Sequence, residues 1–344
     1  MATTIKDVAK LAQVSPSTVS RVLHDNSRIS NTTKERVMQA MHSLNYHPNA
    51  IARSLAKSNT KTLGLILPND ELELFQNSFF IQAMRGISIY AKLHGYKLMY
   101  NFSIDEQEEI EYLENYIHDN WVEGVILFTS RQDDKCINYL HKRAFPFTVI
   151  GRPSSPETGF WVDNDNFQAM YSVTEYLIEK NCSSIAFLGG LRELDVTLNR
   201  LSGYKQAIKS HGLELQENLI CTTTRFSEEE AYEQISELLN NNTVDAIAAT
   251  DDILAFGAIR AMQDFNQTLL PIIGFNNTVR GQYQTPALSS VEINPTELGY
   301  KACKLLIDSL EGLDNPYNHF IVETKFIERD TTQPQLFSKR LVQV

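Results

Sequence analysis

At 344 residues the chain is long enough for two or three domains, and 42% hydrophobic with 21% charged residues is a globular composition, which excludes disordered and fibrous classes. No apolar run reaches the roughly 20 residues of a membrane span, and the start MATTIKDVAK lacks the basic-then-apolar order of a secretion signal, so a cytoplasmic protein without a membrane partner is expected. The net charge of −11 is unevenly spread: residues 1–60 carry +5 and the rest −16, the pattern of a small nucleic-acid-binding head on an acidic body.

In the head, Thr4 followed by Asp7 is a capping-box variant, and Ile5, Val8, Ala9, Leu11 and Ala12 recur at helical spacing, predicting a first helix that stops near Gln13. Ser15 is a good N-cap and Pro16 suits the first position of a second helix, which buries Val19, Val22 and Leu23 and turns Ser17, Thr18, Ser20 and Arg21 outward. Ser30 caps a third helix with Val37, Ala40, Met41 and Leu44 inward, ending before the Asn45-Tyr46-His47-Pro48 turn. Three short helices with a tight first turn predict a helix-turn-helix. The hydroxyls of the second helix can bond bases or phosphates, and Arg21 can pair bidentately with guanine; a three-helix bundle with a solvated face fits the same pattern.

Asn49 can cap a segment Ala50 to Lys57, in which small Ala50, Ala52 and Ala56 lie beside a large Leu55. Eight residues are too few for a helix stable by itself in water. Arg53 can meet phosphate or solvent.

From Lys61 onward strands and helices alternate. Apolar strand candidates are Leu63–Leu67, Lys97–Phe102, Gly124–Phe128, Phe147–Ile150, Ser184–Leu188, Leu219–Thr222, Ala246–Thr250, Ile272–Phe275 and Leu288–Ile293. Amphipathic stretches between them include Phe80–His94, Gln168–Glu179, Tyr204–His211, Glu228–Leu239, Ile253–Phe265 and Leu298–Leu310. The expected class is α/β, with parallel sheets covered on both faces by helices. A break at 154–159 suggests two lobes, and open parallel sheets bind ligands beyond the carboxyl ends of their strands, in the cleft between lobes.

Several sharper motifs fail. Asp163, Asn164, Asp165 and Asn166 begin like a calcium loop, but Phe167 takes the fifth position and the glycine and terminal glutamate are missing, so Asp165 reads better as a helix cap. Gly189-Gly190 belongs to no phosphate loop, and no G-x-S-x-G or H-E-x-x-H occurs. Cys136, Cys182, Cys221 and Cys303 are scattered packing thiols, so no metal, no cofactor and no catalytic residue is expected.

The run TIKDVAKLAQVSPSTVSRVLHDNSRISNTTKERVMQAMHSLNYHPNAIARSLA resembles the headpiece of the LacI/GalR family of bacterial repressors. VDNDN (162–166), NRLSGY (199–204), ATDDILAFGAIRA (249–261), IIGFNNT (272–278), PALSSVEI (286–293) and ERDTT (328–332) resemble that family's body motifs. The resemblance implies a helix-turn-helix headpiece at 1–48, a hinge helix and linker at 49–60, and a periplasmic-binding-protein-like body. In that body the first lobe is 61–160 with 292–325, the second is 161–291 with 326–334, and 335–344 is a tail. It implies DNA contacts from Thr4, Ser15, Pro16, Ser17, Thr18, Ser20, Arg21, Arg28, Ser30, Asn31, Thr33, Tyr46, Asn49 and Ala52. Two hinge helices would pair in the minor groove with Leu55 wedged into a base step, the alternative being a linker leucine docked on the body.

In the cleft the resemblance implies a small sugar ligand. Arg200 would reach it, or form a salt bridge within its lobe; Thr250 and Asp251 would face it, or Asp251 would cap a helix; Phe79, Phe80 and Phe226 would stack on it, or pack in cores. Asn276 stands where many family members carry an acid. IIGFNNT, NSFF (77–80) and the aromatic-rich first lobe resemble maltose-operon repressors, which implies maltose or a related gluco-oligosaccharide. The partners implied are a palindromic double-stranded operator, the sugar and a second copy of the chain in a homodimer; the tail Gln335–Val344 is too short for a tetramerising coiled coil. The alternatives are a global carbon-catabolite regulator that uses a phosphocarrier protein as corepressor, and a sugar-binding transport component, which would need a secretion signal and no helix-turn-helix.

Overall fold

The computed structural model describes residues 3–23, 28–46, 60–68, 77–155, 159–265 and 269–333. The chain forms two compact units, residues 1–60 and 61–344.

The small unit contains α1 (Ile5–Leu11), α2 (Pro16–Leu23) and α3 (Asn31–Ser43). At the start of α1 the Asp7 carboxylate accepts from the Thr4 amide at 2.9 Å and from its hydroxyl at 2.7 Å. The turn into α2 passes through Gln13 in the left-handed region, and the Ser15 hydroxyl then accepts from the Thr18 amide at 3.1 Å. Val8, Ala9, Ala12, Val19, Val22, Val37 and Ala40 close the core, with Met41 and Leu44 packed against it. Leu11 corrects the sequence expectation. It is 52% exposed, because Val8 and Ala9 of this seven-residue helix and its C-cap Ala12 occupy the inward stripe.

The large unit holds two six-stranded sheets of matching order. The first comprises β1 (Thr62–Pro68), β2 (Lys97–Ser103), β3 (Gly124–Leu127), β4 (Phe147–Ile150), β5 (Phe160–Asn164) and β11 (His319–Val322), in the order β11-β5-β4-β3-β1-β2. The second comprises β6 (Ile185–Gly189), β7 (Ile220–Thr222), β8 (Ala246–Ala249), β9 (Ile272–Phe275), β10 (Ser289–Glu292) and β12 (Lys325–Ile327), in the order β12-β10-β9-β8-β6-β7. All neighbours run parallel except β10 and β12.

Strands buried on both faces read as unbroken apolar runs, and here the two faces feed separate cores. Leu63, Leu65 and Leu67 of β1 pack beneath α4 (Ser78–Leu93) and α12 (Pro295–Glu311), while Ile66 packs with α5 (Glu106–His118) and α6 (Lys135–Lys142). In the second lobe Phe187 packs beneath α7 (Asn166–Glu179) and α8 (Asp195–Ser210), and Ala186 and Leu188 face α9 (Glu228–Asn241) and α10 (Asp252–Asp264). A short α11 (Val279–Tyr283) follows β9. Fully burying one such large side chain contributes roughly 1.5–3 kcal/mol. Helices α4 and α12 cross closely because Gly86 and Gly299 lie at the crossing: a methyl on Gly86 would stand 1.9 Å from the Thr296 carbonyl oxygen.

The lobe boundaries differ from the sequence expectation at three places. Phe160–Asn164 pairs with β4 through Thr148 opposite Phe160, so the first crossing follows Asn164 instead of Gly159. Glu292 still belongs to the second sheet, and Lys325, opposite Glu292, already belongs to it. The three crossings therefore lie at 165, 293–294 and 323–324. Asn164 joins them: its side-chain amide donates to the Ile293 carbonyl at 3.1 Å and to the Val322 carbonyl at 2.9 Å. One buried side chain thereby ties together the backbones of all three connections.

Candidate functional site

In the small unit, the start of α2 presents linked hydroxyls. Ser15 Oγ lies 2.8 Å from Ser17 Oγ and 2.9 Å from Thr18 Oγ1. Pro16, Ser17 and Arg21 are exposed, and Thr18 and Ser20 half-buried. At α3, Ser30 Oγ stands 2.9 Å from Thr33 Oγ1 and caps the helix; Arg28, Ser30 and Asn31 are exposed. Tyr46 is turned partly inward, against the head's core. The polar N-terminal turn with an exposed arginine one turn on is a surface suited to a groove of DNA. Asn49, Ala52 and Leu55 lie outside the described residues.

In the large unit the carboxyl ends of both sheets face one cleft with about 710 Å³ of space, solvent at its mouth included. Of the expected ligand residues, Phe79, Phe80, Arg200, Phe226, Asp251 and Asn276 all line it. Thr250 does not. Its hydroxyl accepts from the Gly190 amide at 3.1 Å, tying the ends of β8 and β6 together behind the cleft wall, and its carbonyl accepts from Arg200.

The first lobe supplies an aromatic wall. Phe79 and Phe80 meet edge to face with centroids 5.2 Å apart, and Phe80 stands 6.0 Å from Phe128. Phe79 touches the cores of both lobes, so it packs and lines at once. From the second lobe Phe226 lies over Gly190, where a methyl would stand 2.4 Å from the ring. The glycine pair that makes no phosphate loop thus makes room for an aromatic ring.

The opposite wall is a buried polar network. Arg200 donates from Nε to Asn166 Oδ1 at 2.9 Å and from Nη1 to the Thr250 carbonyl, and its guanidinium lies 4.0 Å from the centre of the Phe275 ring. Burial pushes its pKa down to about 10, against the opposing pull of Asp251 and Asp163. Asp251 serves in two ways. It caps α10 through the Ile253 amide at 2.8 Å, and its other oxygen accepts from Asn276 at 2.7 Å and from Asn77 of the first lobe at 3.5 Å. Asp163 accepts from the Asn164 amide at 2.7 Å, from Asn166 at 2.8 Å and from the Arg152 amide at 2.9 Å. Burial pushes both carboxyls up to about 6, although these bonds and Arg200 favour their charged forms.

Sequence reasoning missed Asn77, Asp163 and Asn166 as lining residues. The VDNDN run that fails as a calcium loop carries two of them: Asp165 caps α7 through the Gln168 amide at 2.9 Å, leaving Asn166 to accept from Arg200 and Asp163 to act on it through its charge. Asn276 and Asn277 both hold left-handed backbone conformations, which asparagine tolerates better than most residues. A second contact between the lobes closes one side of the cleft: the Asp195 amide donates to the Ser130 carbonyl at 3.1 Å, and Ser154 Oγ donates to the Asp195 carboxylate at 3.2 Å. Among the described residues no cluster fit to hold a metal ion occurs, and no helix is long and apolar enough to cross a membrane.

The chain matches two family models: bacterial regulatory proteins of the lacI family over residues 4–49, and a periplasmic binding protein-like domain over residues 174–332. It is 38% identical over 328 residues to the HTH-type transcriptional regulator MalR of Streptococcus pneumoniae, covering 95% of this chain and 98% of that protein. To MalR of Staphylococcus xylosus it is 31% identical over 338 residues, covering 96% and 98%. Among solved structures, that of the transcriptional regulator CelR in complex with cellobiose is similar with a TM-score of 0.75 and 26% identity, over 96% of this chain and 99% of that one. These relatives are transcription regulators, not enzymes. With a matching head and relatives alike over nearly their whole length, the chain belongs to the lacI family of bacterial regulatory proteins.

Proposed function

We propose that this protein represses a carbohydrate-utilisation operon in the cytoplasm and that a small sugar, maltose or a related gluco-oligosaccharide, controls it by binding between the lobes. The observation that carries this reading is the cleft's mixed lining: aromatic rings at Phe79, Phe80, Phe128 and Phe226 together with hydrogen-bonding side chains at Asn77, Arg200, Asp251 and Asn276. A sugar ring has apolar C–H faces and polar hydroxyl edges, which match that lining. Two relatives named MalR and a neighbour bound to cellobiose support the class of ligand.

The DNA-reading surface is the α2 face, with Ser17, Thr18 and Arg21, supported by the caps at Ser15 and Ser30. One head reads half of a palindromic site, so two copies act together as a homodimer. Residues 49–60 act as the hinge: moving the lobes shifts the points where the heads attach, and a coupling of about 1–3 kcal/mol is enough to bias so short a segment.

Gel-shift titration on genomic fragments, with and without maltose, maltotriose and cellobiose, tests the proposal. Binding that weakens steeply with salt, is lost on removal of residues 1–58 and responds to one of these sugars is expected. A body without its head that still binds the operator would overturn the assignment. Arg21→Ala should cost about 1–3 kcal/mol and relax specificity at one position per half-site.

A further inference from the structure

Among the described residues, the charged side chains that line the cleft are Asp163, Arg200 and Asp251. The single cation is already committed within the protein. Two of its N–H groups are given to Asn166 and Thr250, its face rests on Phe275, and both carboxylates act on it. With both acids ionised the wall carries one more negative than positive charge.

The helices that begin at the cleft strengthen this balance. A helix start is a natural place for a phosphate, since its amides are unpaired and its dipole favours negative charge. At three of these starts one such amide is met by the chain's own side-chain oxygen, whereas the start of α8 has no side-chain cap. Asp165 accepts from Gln168 at the start of α7, Asp251 from Ile253 at the start of α10, and Asn77 from Phe79 at 3.0 Å at the start of α4. Helix α8 opens with Asp195, whose carboxylate is itself buried beside Ser154. What remains toward the cleft is rich in acceptors: with its amide nitrogen on Asp251, Asn276 presents its oxygen. Acceptors suit hydroxyl donors, whereas a phosphate or carboxylate needs donors.

We infer that the cleft takes an uncharged, hydroxyl-rich ligand and rejects the same sugar once it bears a phosphate or carboxylate. The inference rests on the cleft being the sugar site and narrows what that site accepts. It also changes the part played by Arg200, from a cation offered to the ligand to the internal counter-ion of Asp163 and Asp251. An added anion would face two carboxylates and could call only on the N–H groups of a cation whose charge they already share, and like-charge contacts of that kind are costly.

Matched pairs test it on the full chain, by calorimetry and thermal shift: maltose against maltose 6′-phosphate, glucose against glucose 6-phosphate, cellobiose against cellobionic acid, with inorganic phosphate as the bare anion. The neutral member of each binding pair should bind roughly a hundredfold tighter or more, and phosphate should give no stabilisation. Asp251→Asn keeps a capping side chain while removing one charge, and should narrow the neutral-to-phosphate ratio at least tenfold. A charged member binding as tightly as its neutral partner, a phosphate stabilisation lost in Arg200→Gln, or an unchanged ratio in Asp251→Asn would each overturn the inference. If a neutral sugar other than a gluco-oligosaccharide binds and its phosphate does not, the charge rule stands and only the identity of the sugar proposed above fails.

Discussion

The two lobes share one strand order yet give the cleft different weights of apolar and polar side chains. The first contributes mainly rings, Phe79, Phe80 and Phe128, with Ile150 and Leu298 beside them; the second contributes Arg200, Asp251 and Asn276, with one ring, Phe226, and is helped by Asp163 from β5 of the first. A shared scaffold therefore fixes where a ligand sits, and the side chains at the strand ends fix what it is. The apolar wall is made of residues that also build cores, while the polar wall is a closed set of mutually dependent bonds. Substitutions on the two sides should differ in kind.

The largest effect is expected on the polar wall. Arg200→Met removes the positive charge that acts on two buried carboxylates and leaves Asn166 and the Thr250 carbonyl without their donor, and uncompensating a buried charge in this way typically costs about 3–5 kcal/mol. Urea denaturation of the full chain should show a loss of that size in the body. A variant as stable as the wild type but without a sugar response would instead make Arg200 chiefly a ligand contact.

A smaller effect, on affinity with little loss of stability, is expected on the apolar wall. Phe226 is half-buried, and truncating it to alanine should weaken sugar binding by about tenfold through lost ring contact. Gly190→Ala should mimic it, because the added methyl displaces the same ring. Calorimetry on both variants checks the pairing; a Gly190→Ala protein with full affinity would mean the ring can move aside and still bind.

The smallest effect concerns pH. Asp163 and Asp251 titrate near 6 in the folded protein against an ordinary carboxyl value of 3.8, so the native state holds protons that the unfolded chain has released. Stability from this source is present at low pH and is lost as pH rises from about 4 through about 6. Salt-bridged acids such as Glu311, whose pKa is lowered by Lys61, act in the opposite direction. The readout is therefore a difference. Between pH 5 and pH 7 the wild type should lose more melting temperature than Asp251→Asn, and equal losses would show that Asp251 ionises without strain.

Much of this arrangement was legible in the sequence. Caps at Ser15 and Ser30, the apolar runs at 147–150 and 272–275 and the alternation of strand and helix mark local preferences that the fold obeys. The strands that escaped, Phe160–Asn164, His319–Val322 and Lys325–Ile327, are short and partly polar, and owe their state to partners far away in the chain. Helix Glu106–His118 escaped because its acidic residues mask the stripe of Glu109, Leu113 and Tyr116 that it buries. At the site, the family resemblance pointed to Arg200, Asp251 and Asn276, but not to the bonds among them. That Thr250 turns away and Asp163 turns in depends on strand register, which spacing along the chain does not carry.

The outermost strands also bear on how the protein is made. Residue 164 ends β5, yet its partner β11 is not synthesised until residues 319–322, after the whole second sheet except β12 has emerged. At the usual pace of translation the interval is roughly ten to thirty seconds. Through it the nascent first lobe presents an unpaired strand edge at β5 and, since α12 is still missing, the bare face of α4 around Gly86. An exposed strand edge invites pairing with other chains. The topology that lets three connections share one node at Asn164 thus leaves the first lobe dependent on residues 295–322 for its closure.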